Sequence, residues 1–486
     1  MTQHPDARTY LFALTDAGGT VPPEVGVVRR VVDRGHRVTA LADETMAAKV
    51  ERAGAAVRIW RRPFAEFRDW ELRTPMAQAR GMAEHMLIGP APGMADDTGA
   101  AIDEIRPDLV VTSGFALGAM IAAESRGIPF DLLMPNVYVL PADGMPPFGA
   151  GLAPARGLAG RTRDRAMRAA SARLIDRYTL RELNGLRARH DLDPIPTLWA
   201  QMQHARMQLV LTSAAFDFPA TLPPNARYVG PILDDPDWAD AARWTPPEGD
   251  APLVLVAMSS TFQDHVGCLQ RIADALGELR VRGLMTTGPA VEPGAIRAPA
   301  NVAVVASAPH REVLPLADLV VTHGGHGTVV KALAAGLPLV ILHHGRDQAD
   351  NAVRVTERHA GVAVPRTASS VRIARAVAEV LGDASYRESS GGLGRAIMRD
   401  VAASPLLDEL ERIPVRRRSA PSPSRDADAD EHQPDDDDDG ADRRPQRRAA
   451  HHRPAEDAEP LEGPDQPDQA DDRARDDEGR PPLHSL

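Results

Sequence analysis

Short apolar runs alternate with longer amphipathic stretches along most of the chain. The apolar runs predict β-strands at 10–14, 37–42, 108–112, 130–134 and 208–212, and again at 253–258, 282–286, 302–305, 317–321 and 339–342. Helical periodicity fills the gaps between them, for example at 24–34 and 266–279. Strands that alternate with helices in this way predict βαβ units, and therefore an α/β protein with parallel sheets.

The βαβ series starts twice, which predicts two domains, at 1–215 and 251–415. The stretch between them, 216–250, is rich in Pro, Asp and Trp and is predicted to be an interdomain linker. The last segment, 416–486, lacks aromatic residues and carries 12 arginines against 21 acidic residues, so it accounts for −9 of the chain's net charge of −12. Because it offers little apolar surface to bury, we expect a disordered acidic tail.

Composition also limits which cellular compartment and which classes of partner we expect. Cys268 is the only cysteine, which excludes a disulfide within the chain. No apolar run approaches 18 residues, and the first residues lack a secretory pattern, so we expect a cytoplasmic protein without a transmembrane segment. Basic residues do not cluster with aromatic ones, so no nucleic-acid partner is expected.

A glycine-rich turn follows the apolar run 317–321. It reads His323-Gly-Gly-His-Gly-Thr328 and leads into a helix that Gly336 and Pro338 end. Because a helix N-terminus presents unpaired N–H groups and partial positive charge, the turn predicts a site for a phosphate or diphosphate. The turn fits neither the dinucleotide pattern G-x-G-x-x-G nor a Walker loop.

A second polar cluster, 343–351, follows the next apolar run and opens another helix. It contains Asp347, Gln348 and Asn351. Since the carboxyl ends of parallel strands meet at one edge of a sheet, we expect both clusters on the same rim.

Taken together, His323-Gly-Gly-x-Gly-Thr328, Gly336-Leu-Pro338 and Asp347-Gln348 with Asn351 resemble the donor signature of family 1 glycosyltransferases, among them enzymes that modify macrolides and other natural products. The resemblance covers about residues 8–412. It implies the GT-B fold, in which two Rossmann-like domains with parallel sheets face each other. The first domain would bind the acceptor and the second a nucleotide-sugar donor, and the final helix would cross back to the first.

The resemblance also assigns donor-binding residues. The imidazole of His323 would contact the diphosphate, Asp347 and Gln348 would contact hydroxyls of the donor sugar, and Ser260 would add a hydroxyl donor. The second phosphate would lie on the helix start formed by Gly325, His326, Gly327 and Thr328. No metal or cofactor is implied, because the nucleotide-diphosphate sugar is a co-substrate. A metal site at the histidines is the alternative, although His-x-x-His in a glycine turn is not the paired face of a helical zinc motif.

Two positions on the donor side depart from the family pattern. Lys331, one of two lysines in the chain, stands where many members place a glutamate that holds the ribose. We expect Lys331 to meet the diphosphate, with a solvated lysine as the alternative. Ser307 occupies the position of an aromatic residue that stacks on the base in some members, so both UDP and dTDP stay open.

The residues on the acceptor side depart further from the family pattern. In many members a histidine in the first glycine loop acts as base and an aspartate after a later strand orients it. Here those positions hold Thr20 and Ser113, which do not titrate. Asp16 is the candidate base; its alternative role is that of a turn aspartate that bonds its own backbone.

The loop 135–149 carries prolines, glycines and apolar side chains, and its Tyr138 and Phe148 are expected to line an acceptor pocket together with Thr20 and Ser113. We therefore expect a small apolar acceptor such as a polyketide, phenol or lipid. The arginine-rich stretch 156–190 has two interpretations, peripheral contact with anionic lipid and a solvated helix face.

The resemblance thus predicts inverting transfer of a hexose from a UDP- or dTDP-sugar to a hydroxyl of that acceptor. The missing dyad leaves a second hypothesis, a catalytically silent homologue that binds a nucleotide sugar or assists an active enzyme.

Overall fold

The computed structural model describes residues 7–62, 67–72, 74–236, 239, 244–259 and 261–413. Ser260 and the predicted acidic tail at 416–486 lie outside these residues. The described residues form two parallel β-sheets with helices on both faces. This arrangement confirms the predicted α/β fold class with two Rossmann-like domains.

The strands of the first sheet are β1 (Thr9–Ala13), β2 (Arg37–Ala42), β3 (Ala56–Ile59), β4 (Leu109–Ser113), β5 (Phe130–Met134), β6 (Met207–Val210) and β7 (Ala226–Tyr228). They are all parallel and lie in the order β3-β2-β1-β4-β5-β6-β7. Every residue of β1, β4 and β5 is buried, as expected for central strands covered by helices on both faces.

The strands of the second sheet are β8 (Leu253–Ala257), β9 (Arg282–Thr286), β10 (Val302–Val305), β11 (Leu319–Thr322), β12 (Leu339–Ile341) and β13 (Gly361–Ala363). They are parallel in the order β10-β9-β8-β11-β12-β13. In the middle of this sheet Leu255 lies opposite Leu284 on one side and Val320 on the other. The three side chains are fully buried, so they anchor the core of the second domain.

Helices lie between most successive strands and after the last one. They are α1 (Val21–Asp33), α2 (Glu44–Arg52), α3 (Pro75–Met82), α4 (Ala91–Ile105), α5 (Leu117–Ser125), α6 (Gly157–Arg189), α7 (Leu198–Gln203), α8 (Val266–Gly277), α9 (His310–Val313), α10 (His326–Ala334), α11 (Gln348–Glu357), α12 (Ser370–Gly382), α13 (Ala384–Ala402) and α14 (Leu406–Glu411).

Close backbone contact fixes helix α10, which begins at the glycine-rich turn. A Cβ atom on Gly394 of α13 would lie 2.3 Å from the carbonyl oxygen of Leu333. Helix α13 therefore packs directly on the backbone of α10, and only glycine permits this approach. The N-terminus of α10 is held in place by this packing and by its buried Val329, Val330 and Leu333.

One prediction about the connections was wrong. The stretch 216–250, predicted as a linker, contains β7, which pairs with β6 and so extends the first sheet. At the end of the described chain, α13 and α14 are separate helices because Pro405 stands between them and cannot continue the hydrogen bonds of α13.

The last helix, α14, packs on the first domain. Leu406, Leu410 and Ile413 belong to the same buried cluster as Tyr10 and Val25. The hydroxyl of Tyr10 donates to the carbonyl of Leu410 at 3.1 Å. The C-terminal end of the described chain is thereby part of the first domain's core.

A buried ion pair joins the two domains. Arg354 of α11 is 2% exposed and lies 2.8 Å from the carboxylate of Asp217, which is fully buried. The guanidinium also lies 4.4 Å from the ring of Phe218. Arg358, one turn later, donates to the carbonyl oxygens of Ala215 and Asp217. Two arginines of the second domain thus hold one short segment of the first.

We expect Arg354→Met to lower the free energy of unfolding by about 3–5 kcal/mol, because the carboxylate of Asp217 would stay buried without its cation. Denaturant titration followed by fluorescence measures this loss. The exposed pair between Arg58 and Glu104 is the control, and Arg58→Ala should cost less than about 1 kcal/mol. Equal effects of the two variants would contradict a special role for the buried pair.

Candidate functional site

A cavity of about 520 Å³ lies in the cleft between the two domains. Its walls are built by loops that follow β1 and β5 in the first sheet and β8, β11 and β12 in the second. The cavity therefore sits at the carboxyl ends of both sheets, where ligands bind in open α/β folds. The two polar clusters 323–328 and 346–348 both contribute to its wall, as their strand-to-helix positions predicted.

His323 forms part of this wall and is only 8% exposed. A Cβ atom on residue 325 would lie 2.5 Å from its Nε2 atom, so glycine at 325 leaves the room that the imidazole needs. Burial, with smaller contributions from His344 and His265, lowers the pKa of His323 to about 3. The ring is therefore neutral at pH 7 and offers a hydrogen bond rather than a full charge.

The N-terminus of α10 opens onto the cavity. Gly325 is the N-cap and makes no side-chain capping bond, and the first backbone bond of the helix runs from the N–H of Val329 to the carbonyl of Gly325 at 3.1 Å. The N–H groups of Gly327 and Thr328 consequently have no acceptor within the helix. Both residues line the cavity, where such N–H groups can bind an anion. That an anion binds there stays a prediction.

Asp347 lies beside this helix start. Its carboxylate accepts a hydrogen bond from Asn351 at 2.7 Å and is also bonded to the backbone of His326 and the side chain of Asn136 from the first domain. Burial outweighs these bonds and raises the pKa of Asp347. The carboxylate thus lies in the cleft between the start of α10 and the first domain.

Gln348 lines the cavity but is largely engaged with its own loop. Its Oε1 atom accepts from the backbone N–H groups of His344 at 2.7 Å and Gly345 at 3.2 Å. Its Nε2 atom donates to Gln263 at 2.9 Å. One amide N–H is left for a ligand, so Gln348 shapes the loop as much as it lines the cavity.

The side chain of His326 points to the first domain. Its Nε2 atom lies 2.8 Å from the hydroxyl of Thr212, and burial lowers the pKa of His326 to about 4. The ring of Phe216 lies against it, with centroids 6.0 Å apart. The imidazole of His326 therefore joins the domains, and only its backbone belongs to the helix start.

Lys331 lies farther along α10 and also lines the cavity. Its ammonium lies 2.8 Å from the carboxylate of Asp235, and the side chains are 11% and 3% exposed. The alternative interpretation of Lys331 as a solvated lysine is therefore wrong. Sequence reasoning did not identify Asp235, because nothing in its local sequence links it to a residue 96 positions later.

Contacts across the cleft close the cavity on one side. The guanidinium of Arg346 pairs with Asp69 of the first domain at 2.7 Å, and the rings of Trp70 and Phe262 meet edge to face at 5.4 Å. A Cβ atom on Gly18, whose φ is +75°, would lie 2.6 Å from Thr261. The first glycine loop thus touches the second domain, and a larger residue would push them apart.

The loop 135–149 is tied to the second domain as well. The carboxylate of Asp350 in α11 accepts from the N–H groups of Gly149 at 2.6 Å and Gly151 at 3.2 Å. Asn136, near the start of the loop, lines the cavity. The loop therefore spans the cleft beside the start of α11.

Asp16 and Thr20 line the cavity from the first domain. The Oδ1 atom of Asp16 accepts from the N–H of Gly18 at 2.9 Å, which is the bond of a turn aspartate, and its Oδ2 atom accepts from the hydroxyl of Thr45 at 2.6 Å. Asp16 thus shapes the glycine loop and also faces the cavity. Its role as a base stays a prediction.

Three residues predicted to bind the acceptor lie elsewhere. Ser113 is buried. Its hydroxyl oxygen accepts a hydrogen bond from the N–H of Thr15, and its O–H donates to the carboxylate of Glu24. Ser113 therefore supports the start of the glycine loop. Tyr138 lies in the core of the first domain, with its hydroxyl donating to Gln208 at 2.9 Å. Phe148 is 41% exposed and is not part of the cavity wall.

Glu24 is a buried carboxyl group that sequence reasoning missed. It is 1% exposed, and the hydroxyl of Ser113 donates to its Oε2 atom at 2.7 Å. Burial is the main cause that raises its pKa to about 8, and the nearby Asp16 adds to the effect. Its position on the apolar face of α1, between Val21 and Val28, could have indicated that Glu24 is buried.

Two Rossmann-like domains that face each other across a cleft, with a cavity at the carboxyl ends of both sheets, define the GT-B fold. Two solved glycosyltransferases have the same fold. The glycotransferase of kitacinnamycin superposes with a TM-score of 0.67 at 23% identity and covers 84% of this chain and 100% of its own. The calicheamicin glycosyltransferase CalG4 gives 0.65 at 24%, covering 83% and 97%.

Proteins of similar sequence show which family the chain belongs to. The erythromycin biosynthesis protein CIII-like C-terminal domain family matches residues 270–413. The 4′-demethylrebeccamycin synthase of Lentzea aerocolonigenes is 30% identical over 392 residues, 78% of this chain and 92% of the relative. The demethyllactenocin mycarosyltransferase of Streptomyces fradiae is 25% identical over 83% and 86%. The chain belongs to the family 1 glycosyltransferases of natural-product type.

Two observations concern partners. None of the described helices is long and apolar enough to cross a bilayer. Across the described part of the chain, no three His, Cys, Asp or Glu side chains converge as metal ligands would. Contact of the arginine-rich α6 with anionic lipid, and catalysis without metal or cofactor, stay predictions.

We expect Glu24→Gln to stabilise the protein at pH 8. The folded-state pKa of about 8 lies above the ordinary 4.5, so the carboxyl group favours the folded state below pH 4.5, and this contribution is lost as the pH rises through 8. The thermal midpoint of the variant relative to wild type should therefore rise between pH 5 and pH 8 by at least about 2–4 °C, the change that about 1 kcal/mol produces in a domain of this size.

Differential scanning calorimetry at both pH values makes this comparison, with the exposed Glu44→Gln as the matched control. A pH-independent difference between Glu24→Gln and wild type would show that Glu24 does not bind its proton more tightly in the folded protein.

Proposed function

We propose that this glycosyltransferase moves a hexose from a UDP- or dTDP-sugar to a hydroxyl group of a small apolar acceptor, with inversion at the anomeric carbon. The observation that carries the proposal is one cavity with the N-terminus of α10 on one wall and the loop Asp16–Thr20 on the other. A donor diphosphate and an acceptor hydroxyl can meet there. The cavity volume of about 520 Å³ suits a small molecule.

The donor diphosphate would be held by neutral groups and a helix dipole. His323 offers its ring, Gly327 and Thr328 offer backbone N–H groups, and Thr328 adds a hydroxyl. These donors stabilise the charge that develops on the leaving diphosphate, which is the main catalytic contribution in this proposal. Asp347 and the unused N–H of Gln348 would form hydrogen bonds with hydroxyls of the donor sugar.

The acceptor would lie against the first domain. Apolar side chains form that wall, among them Val21, Pro22, Pro135 and Leu211. They favour a polyketide, phenolic or lipid aglycone, in line with the natural-product names of the relatives. Asp16 is the carboxylate of the glycine loop that faces the cavity and would accept the proton of the attacking hydroxyl.

A second candidate function is a catalytically silent homologue that binds the nucleotide sugar or assists an active enzyme. The observation in its favour is that Thr20 and Ser113 replace the usual dyad, and that Ser113 is bonded to Glu24 instead of facing the cavity. Incubation with UDP- and dTDP-sugars separates the two functions. Slow donor hydrolysis, or transfer to phenolic and macrolide acceptors, supports the enzyme, and donor binding without any turnover supports the silent homologue.

His323→Ala should weaken binding of a nucleoside diphosphate by about 10- to 100-fold, because a hydrogen bond to a charged group is lost. Titration calorimetry with UDP and dTDP measures the change. His343→Ala is the control, since His343 is a neighbouring histidine outside the cavity wall. Unchanged affinity in His323→Ala would contradict the proposed diphosphate site.

Asp16→Asn should lower kcat by about 10²–10⁴-fold and leave donor affinity unchanged, because the amide retains an acceptor for the N–H of Gly18 but cannot take a proton. Steady-state rates and donor titration are measured in parallel. Thr45→Val, which removes the hydroxyl bonded to Asp16 and keeps the carboxylate, should change kcat far less. Full activity of Asp16→Asn would exclude Asp16 as the base.

A further inference from the structure

A series of hydrogen bonds runs from a buried carboxyl group to the glycine loop of the first domain. The hydroxyl of Ser113 donates to the Oε2 atom of Glu24 at 2.7 Å, and its oxygen accepts from the N–H of Thr15 at 3.2 Å. Glu24 and Thr15 are 1% exposed and Ser113 is 2% exposed. Because β1 and β4 are neighbouring parallel strands, their carboxyl ends place Thr15 beside Ser113. The series thus ends one residue before Asp16, which lines the cavity.

The direction of the Ser113 hydroxyl depends on Glu24. A serine hydroxyl has one O–H donor and two acceptor positions, and it rotates unless a partner fixes the donor. With its hydrogen directed at Glu24, Ser113 keeps an acceptor position toward the N–H of Thr15. Glu24 therefore acts on the loop through Ser113, since neither of these two side chains is part of the cavity wall.

The cost of burying Glu24 indicates a use for it. Its neighbours on the same face of α1, among them Val21 and Val28, are buried and apolar. A leucine at 24 would add to this core, whereas a buried carboxyl group loses its hydration. Glu24 instead provides Ser113 with an acceptor, which no apolar side chain could do.

The charge of the site favours a neutral Glu24 near the loop. Burial is the main cause that raises the pKa of Glu24 to about 8, and the nearby Asp16 adds to the effect, while the bond from Ser113 acts in the opposite direction. The carboxyl group is therefore mostly protonated at pH 7. It holds Ser113 without adding a second negative charge near Asp16.

The loop that this series supports has little room to shift. The Oδ2 atom of Asp16 accepts from the hydroxyl of Thr45 at 2.6 Å. On the side of the second domain, a Cβ atom on Gly18 would lie 2.6 Å from Thr261. The bond to Ser113 holds the same loop from the core of the first domain, so its loss would move Asp16 relative to the rest of the cavity wall.

We propose that Glu24 is a positioning residue for glycosyl transfer, which fixes the backbone before Asp16 by way of Ser113. Glu24 itself contacts neither donor nor acceptor and transfers no proton. The inference rests on the proposed function, since it takes Asp16 to face the acceptor hydroxyl. Loss of Glu24 should therefore lower kcat and leave donor affinity unchanged, because the proposed donor site lies in the second domain.

Hydrogen exchange and steady-state rates of full-length variants test the inference together. Glu24→Leu removes the acceptor for Ser113, whereas Glu24→Gln retains one in its amide oxygen. In Glu24→Leu we expect exchange of residues 14–20 to quicken about two- to tenfold, the effect of one lost hydrogen bond. We also expect kcat to fall about tenfold, because a displaced loop misplaces its reacting group. Glu24→Gln should match wild type in both measurements at pH 7, and both variants should bind UDP and dTDP as wild type does.

A double-mutant cycle separates this role from general damage to α1. Ser113→Ala should lower kcat as Glu24→Leu does, and the two changes combined should lower it no further, because they break the same series of bonds. Val28→Ala is the matched control, since Val28 lies one turn further along the buried face of α1. It lowers stability without touching Ser113 and should leave kcat unchanged.

The two measurements distinguish failure of the inference from failure of the proposed function. Unchanged kcat in Glu24→Leu, or additive effects of Glu24→Leu and Ser113→Ala, would overturn the inference. A wild-type protein that binds the donor but transfers no sugar would instead contradict the proposed function. In that case hydrogen exchange still decides whether Glu24 holds the loop: faster exchange in Glu24→Leu would support this, and unchanged exchange would overturn it.

Discussion

The ion pair between Arg354 and Asp217 fixes the geometry on which the cleft depends. Arg354 lies in α11, and the same helix begins at Gln348, directly after Asp347 in the cavity wall. A rigid helix transmits orientation along its whole length, so the contact that joins the domains also positions Asp347 and Gln348 in the cavity wall. Asp350 of the same helix holds Gly149 of the first domain. One helix thus sets the width of the cleft and the position of its polar wall.

Burial determines the chemistry that this cleft can offer. It lowers the pKa of His323 to about 3 and that of His326 to about 4, so neither imidazole is charged at pH 7. Two of the cations that line the cavity are paired with carboxylates, Lys331 with Asp235 and Arg346 with Asp69. Positive potential for an anion therefore comes mainly from the backbone N–H groups and dipole of α10. Such a source needs no proton and changes little with pH.

The fold could be predicted from the sequence wherever a strand is buried on both faces. The run Leu253–Ala257 is continuous and apolar, and it forms the buried strand β8. The edge strands β3 and β13 were missed because they are short and partly exposed, with Arg58 interrupting the apolar residues of β3 and only three residues in β13. β7 was missed for the same reason, and its three residues were assigned to a linker. Hydrophobic pattern reports burial, so it reports the centre of a parallel sheet better than its edge.

In the candidate site, too, some features could be predicted from the sequence and others could not. The turn 323–328 is contiguous, and its glycine spacing was enough to predict the helix start that lines the cavity. The binding of an anion there stays a prediction. Contacts that join distant segments could not be predicted: His326 is bonded to Thr212, and Lys331 to Asp235. His326 shows why a motif does not assign its side chains. Its place in the turn fixes its backbone at the helix start, whereas the direction and partner of its imidazole depend on the segment that folds opposite. Such a motif therefore predicts what its backbone groups do, but it does not predict the partners of its side chains.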